Sequence, residues 1–157
     1  MSAYQFDTQK RVGVAGEETL DAFFRQWRGL HIRPATDAEQ RRGIDRMFTV
    51  AATGREVAVE YKTDYMAGRT GNAFVETVSV DRAGKPGWAV SSEAYFLIYL
   101  VPEPRTIYVI RMQDVRRRLP AWRQIYPERT VANDGYNTVG LLVPLDELER
   151  LAVEVYG

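Results

Sequence analysis

Cysteine is absent from the 157 residues, which excludes disulfides, thiolate metal sites and cysteine nucleophiles together. Histidine occurs once, at His31. Zinc sites of the Cys/His kind, paired-histidine metalloprotease helices and His-metal nucleases therefore lack their ligands. Lysine is scarce too, with Lys10, Lys62 and Lys85 against eighteen arginines. No run nears the roughly 18–20 apolar residues a membrane helix needs. The N-terminus, Met1 to Arg11, is polar and carries no apolar signal-peptide core. These absences predict a cytoplasmic protein with no membrane partner. Carboxylate, lysine, arginine, tyrosine and serine remain for any chemistry.

What is present reads as one domain spanning residues 1–157. A 45% hydrophobic and 27% charged chain is globular, and at this length it buries roughly 68–70% of its unfolded surface. Apolar residues at three- and four-residue steps predict a helix over Arg11 to Arg28, with Gly29 as its C-cap and a short strand starting at Leu30. Arg33 to Gly43 reads as a loop. Ile44 to Ala52 and Glu56 to Thr63 read as a hairpin about the Ala52–Arg55 turn. Asp64 to Asn72 is a polar connection, Ala73 to Val80 a strand, and Trp88 to Glu93 a short helix. The run Tyr95 to Val101 is apolar throughout, as a strand buried on both faces is. Thr106 to Met112 is a further strand. An arginine-rich helix over Asp114 to Tyr126, interrupted near Pro120, comes next, then a loop at Asn133–Gly135 and a strand near Thr138 to Val143. An acidic helix over Leu145 to Val155 closes the chain. The order predicts an α/β (mixed α+β) fold with a central mixed sheet flanked by helices.

Acidic and basic side chains cancel overall, 21 against 21, but not locally. From Arg105 to Arg123 six arginines face Asp114 alone, and from Arg25 to Arg46 six face three acids. Two such segments can present a basic face to a polyanion, or simply solvate a surface.

Asp45, Glu60 and Lys62 stand out from this background. Period-2 geometry puts Glu60 and Lys62 on one strand face, with Val57, Val59 and Tyr61 on the other, and hairpin pairing brings Asp45 alongside. Two carboxylates and a backbone carbonyl make a hard-oxygen site suited to Mg²⁺. A lysine beside it can orient or deprotonate a water that attacks phosphate. The plainer alternative is a surface ion pair of Glu60 with Lys62, with Asp45 as a turn residue.

The order helix, Asp45-bearing strand, then Glu60-Tyr61-Lys62 resembles the PD-(D/E)XK nuclease superfamily, the restriction-endonuclease-like fold. Ile44 stands where the motif's proline would be. The stretches Thr70-Gly71-Asn72 to Glu76, Ser91 to Ala94 and Gly140 to Pro144 are similar to segments of small phage and mobile-element members. That resemblance implies a Mg²⁺-dependent deoxyribonuclease, with Mn²⁺ able to substitute, in a bacterial, archaeal or phage-infected cytosol. It implies Glu17, in Gly16-Glu17-Glu18, as the helix glutamate. Glu17, Asp45, Glu60 and the Tyr61 carbonyl would then hold the metal, and Lys62 would assist water attack, leaving a 5′-phosphate and a 3′-hydroxyl. Glu76 is either a further metal or water-positioning residue or an exposed strand acid. Arg41, Arg42, Arg116, Arg117 and Arg118 would grip DNA phosphates. Cutting both strands takes two active sites, which a homodimer would supply. The alternatives are a catalytically silent DNA-binding or assembly module with the same fold, and a nuclease acting on RNA.

Overall fold

The computed structural model describes residues 3–157; Met1 and Ser2, part of the expected polar N-terminus, lie outside the described residues. Helix α1 runs over Ala3–Phe24. It starts earlier than expected, because Ala3 to Lys10 carries no apolar repeat to announce it. Strand β1 (Leu30–Pro34) follows, then a short helix α2 (Asp37–Arg41) in the segment expected to be loop. Thr36 and Glu39 form a capping box there, each satisfying the other's backbone N–H. Strands β2 (Arg46–Val50) and β3 (Arg55–Thr63) form the expected hairpin. Helix α3 (Tyr65–Thr70) occupies the polar connection, capped by the Asp64 side chain on the Ala67 N–H. Strand β4 (Asn72–Val80), the two-residue β5 (Lys85–Pro86) and helix α4 (Trp88–Ser91) precede the apolar β6 (Phe96–Val101). The second half comprises β7 (Thr106–Arg111), α5 (Met112–Ile125), β8 (Glu128–Ala132), β9 (Asn137–Pro144), α6 (Leu145–Leu151) and β10 (Glu154–Tyr156).

The class is mixed α/β, and the larger sheet is mixed as expected. Its order is β1-β2-β3-β6-β7-β10, antiparallel except for the central parallel pair β3–β6. A second, antiparallel sheet, β5-β4-β9-β8, stands apart from it, where the sequence suggested a single sheet. Burial along β6 and β4 marks the difference. Strand β6 is buried almost continuously, whereas β4 alternates, as a strand with one open face must.

Three layers result. Leu20 and Phe24 of α1 pack with Phe48, Val59, Tyr61, Ile98, Leu100 and Ile107 on one face of the larger sheet. On its other face, Leu97, Tyr99 and Ile110 meet Val75, Leu141 and Val143 of the second sheet and Val115, Leu119 and Trp122 of α5. Pro120 lies inside α5 without interrupting it. The buried Leu119 and Trp122 that flank it hold the helix by tertiary packing. The expected closing helix stops at Leu151, and Glu154 to Tyr156 turns back as an edge strand on β7. No helix among the described residues is long and apolar enough to cross a membrane.

Candidate active site around Asp45, Glu60 and Lys62

The site begins where the β2–β3 ladder ends. Arg46 pairs with Val59, and the Asp45 N–H donates to the Val59 carbonyl at 2.9 Å. One step further along this register, Asp45 stands opposite Glu60, as the hairpin spacing predicted. The Asp45 carboxylate accepts the Tyr61 N–H at 2.8 Å, so Asp45 also finishes the ladder that β2 leaves incomplete.

Glu60 and Lys62 share the face opposite Val59 and Tyr61. Glu60 is buried, 4% exposed, and pairs with the Lys62 ammonium at 3.1 Å. This is not the exposed surface pair of the plainer alternative. Glu60 Oε2 is buried with no hydrogen-bond partner among the described residues. An ionised oxygen in that condition is costly. Burial pushes the Glu60 carboxyl up, against the pull of Lys62 and of the adjacent Ser92 hydroxyl, which itself donates to the Gly43 carbonyl. Burial raises Asp45 as well, opposed by the Tyr61 N–H and by Lys62.

Lys62 sits among acids. Burial alone would lower its pKa, but Glu60, Asp45 and Glu76 outweigh that and raise it. In the metal-free protein these acids keep it a cation at neutral pH. Glu76 on β4 is brought to the same place. Burial raises it, while Lys62 and the Trp88 N–H hold its charge. Glu76 is thus half-buried near Lys62, not a fully exposed strand acid.

Glu17 differs from expectation. It reaches the Arg46 guanidinium at 3.3 Å, and Arg46 also grips Asp21 at 3.1 Å. Asp21 accepts the Tyr61 hydroxyl at 2.9 Å. Glu17 thus belongs to a polar cluster under α1, and no group of three or more acidic or histidine side chains among the described residues converges as a metal cage. Burial raises the Glu17 carboxyl, and Glu17 still lies near enough to Asp45 for that charge to raise it further.

The arginines are mostly engaged within the protein. Arg116 donates to the carbonyls of Val90 and Ser92, which ties α5 to the end of α4. Ser92 in turn donates to the Gly43 carbonyl at 2.9 Å, two residues before Asp45. Ser92 thereby braces the turn that delivers Asp45. Arg117 pairs with Asp114 at 3.5 Å but stays 73% exposed, and Arg118 lies 3.8 Å from Glu147. Arg42 pairs with Glu93 at 3.1 Å, and Arg41 is exposed at the end of α2.

An open cleft of about 660 Å³ lies in front of Lys62 and Glu76. Its lining includes Phe74, Arg129 and Tyr136, which the sequence did not single out. The strand β8 that carries Arg129 is short, polar and largely exposed, so no apolar alternation signalled it. Comparison with known protein families, with curated proteins and with solved structures finds no match, so the site stands on its own geometry.

Proposed function

We propose that the chain is a divalent-cation-dependent deoxyribonuclease of the PD-(D/E)XK kind, acting on DNA phosphodiesters in the cytoplasm. The observation that carries this reading is the buried Glu60, one oxygen unpartnered, beside Asp45 and paired to a lysine that opens onto a cleft. Two acids placed together, with a free buried oxygen, fit a hard cation such as Mg²⁺ or Mn²⁺. Asp45 and Glu60 would hold it, and what it supplies there is Lewis acidity toward phosphate and a more acidic water.

The chain's own residues do the rest. Lys62 sets a positive charge beside the scissile phosphate, where negative charge grows as water attacks phosphorus. Glu76, next to Lys62, orients that water. The bond from phosphorus to the 3′-oxygen breaks, leaving a 3′-hydroxyl and a 5′-phosphate. Arg41, Arg42, Arg117 and Arg118 are exposed and would meet flanking phosphates. A homodimer would bring a second site for the opposite strand.

The competing reading, a DNA-binding or assembly module without catalysis, draws on Glu17 being taken up by Arg46. Incubation with linear, circular, single-stranded and branched DNA in Mg²⁺, Mn²⁺ or EDTA separates the two. Metal-dependent cleavage that is lost in Glu60→Gln supports the nuclease. Binding without cleavage in any metal supports the silent module, and RNA cut in place of DNA supports the RNA-directed alternative.

A further inference from the structure

The cleft in front of Lys62 continues across the face of the second sheet that carries Phe74, Glu76 and Arg129. Strand register sets that face. Glu76 stands opposite Gly140 on β9, and Gly140 opposite Arg129 on β8, so the three form one row across the sheet. Gly140 is required there by close approach. A Cβ at that position would lie 2.6 Å from Cζ of Phe74, so the Phe74 ring rests in the gap that the glycine leaves. Phe74 and Tyr136 thereby supply aromatic surface within the cleft, and Arg129 stands beyond Gly140 with no ion pair among the described residues.

The acids of the cleft are otherwise engaged. Asp64 accepts the Ala67 N–H at 2.9 Å through one oxygen, and the Tyr99 hydroxyl and the Phe74 N–H through the other. Glu76 is held by Lys62 and the Trp88 N–H. Lys62 is balanced by Glu60 and Glu76, so the cation left to meet an incoming ligand is Arg129, farther along the cleft.

We infer that this cleft is a subsite for an unpaired nucleotide next to the scissile phosphate, its base on Phe74 and Tyr136 and its neighbouring phosphate on Arg129. The substrate is then a single strand, flap or splayed end in preference to continuous duplex. This rests on the nuclease reading. A volume of about 660 Å³ falls in the range of clefts that enclose small ligands. A base can lie on an aromatic ring only when it has left its own stack. Aromatic rings beside isolated cations are the pattern by which proteins hold single strands without reading sequence.

The test is anisotropy in EDTA with an oligothymidylate of about ten nucleotides, within the usual site sizes, and with a blunt duplex of equal length. Cleavage of both is followed in Mg²⁺ with the same preparations. Wild type is expected to prefer the single strand, and Phe74→Ala to weaken that binding roughly tenfold or more, while Phe74→Trp retains it. Arg129→Gln, at an exposed position, should reduce the slope of log affinity against log salt by roughly 0.7. Single-strand affinity unchanged in both Phe74→Ala and Arg129→Gln overturns the subsite, as does preference for duplex. Metal-dependent duplex cleavage in that case leaves the nuclease reading standing. Phe74-dependent binding with no cleavage of any DNA supports the subsite and removes the nuclease.

Discussion

Burial leaves Glu60 Oε2 without a partner and presses Asp45 against the same ion pair, so each carboxylate raises the cost of the other's charge. Removing one charge while keeping the shape should stabilise the metal-free protein. Glu60→Gln is expected to raise the melting temperature in EDTA at neutral pH by roughly 2–4 °C, about 1 kcal/mol for a chain of this size. Asp45 differs, because its carboxylate also accepts the Tyr61 N–H. Asp45→Asn keeps an acceptor there and should stabilise likewise. Asp45→Ala orphans that N–H and should cost about 1–3 kcal/mol. Thermal melts of the three variants in EDTA check the order. Asp45→Ala as stable as Asp45→Asn would show that the Tyr61 contact does not count.

Among the secondary-structure elements, the turn before β2 carries the site. Gly43 has φ of 79°, and a Cβ there would meet the Ser92 Cα at 2.9 Å. Gly43→Ala should therefore cost about 1–2 kcal/mol for the left-handed backbone alone, and more for the contact with α4. Cleavage should fall with it, because Asp45 lies two residues on. Denaturant melts and cleavage rates measured on the same preparation check both. Helix α5 invites a different measurement. Arg116 is taken up by α4, whereas its neighbours Arg117 and Arg118 stay exposed. Replacing both by alanine should reduce the salt slope of duplex binding by roughly 1–2 units, and binding curves at several salt concentrations read it. Apolar rhythm or a clear turn signal in the sequence marks α1, β1, the β2–β3 hairpin, β4, α4, β6, β7, α5, β9 and α6. Helices α2 and α3 are too short for a rhythm, yet their caps, Thr36 with Glu39 and Asp64 with Gly71, were visible signals. Strands β8 and β10 are exposed edges held by their neighbours, and nothing local in Glu128–Ala132 or Glu154–Tyr156 specifies them. Asp45, Glu60 and Lys62 were legible because period 2 and a short turn determine which side chains meet. Glu17 was not, because its partner Arg46 is chosen by how α1 lies on the sheet.

Across the whole molecule, two groups of carboxyls titrate in opposite senses. Burial raises Glu17, Asp45, Glu60 and Glu76. A raised carboxyl binds protons more readily in the folded state, so its destabilising effect at neutral pH is relieved as pH falls through its folded pKa. Arg33 holds Glu39 down at about 2, Asn137 lowers Asp81, and at Glu147 the Trp122 and Tyr126 donors prevail over burial. These lowered groups contribute stability that is lost on further acidification. Stability in EDTA should thus rise as pH falls from neutral toward about 4.5, then decline below about 4. Melts across that range check it, and Glu60→Gln should flatten the rise. Single-turnover DNA cleavage in Mg²⁺ with saturating enzyme, comparing wild type with Lys62→Ala, isolates the chemical step from binding. Lys62→Ala is expected to bind DNA nearly as wild type does and to cleave it roughly 10²-fold more slowly or worse. A Lys62→Ala protein that cleaves what it binds at the wild-type rate would contradict the role proposed for Lys62.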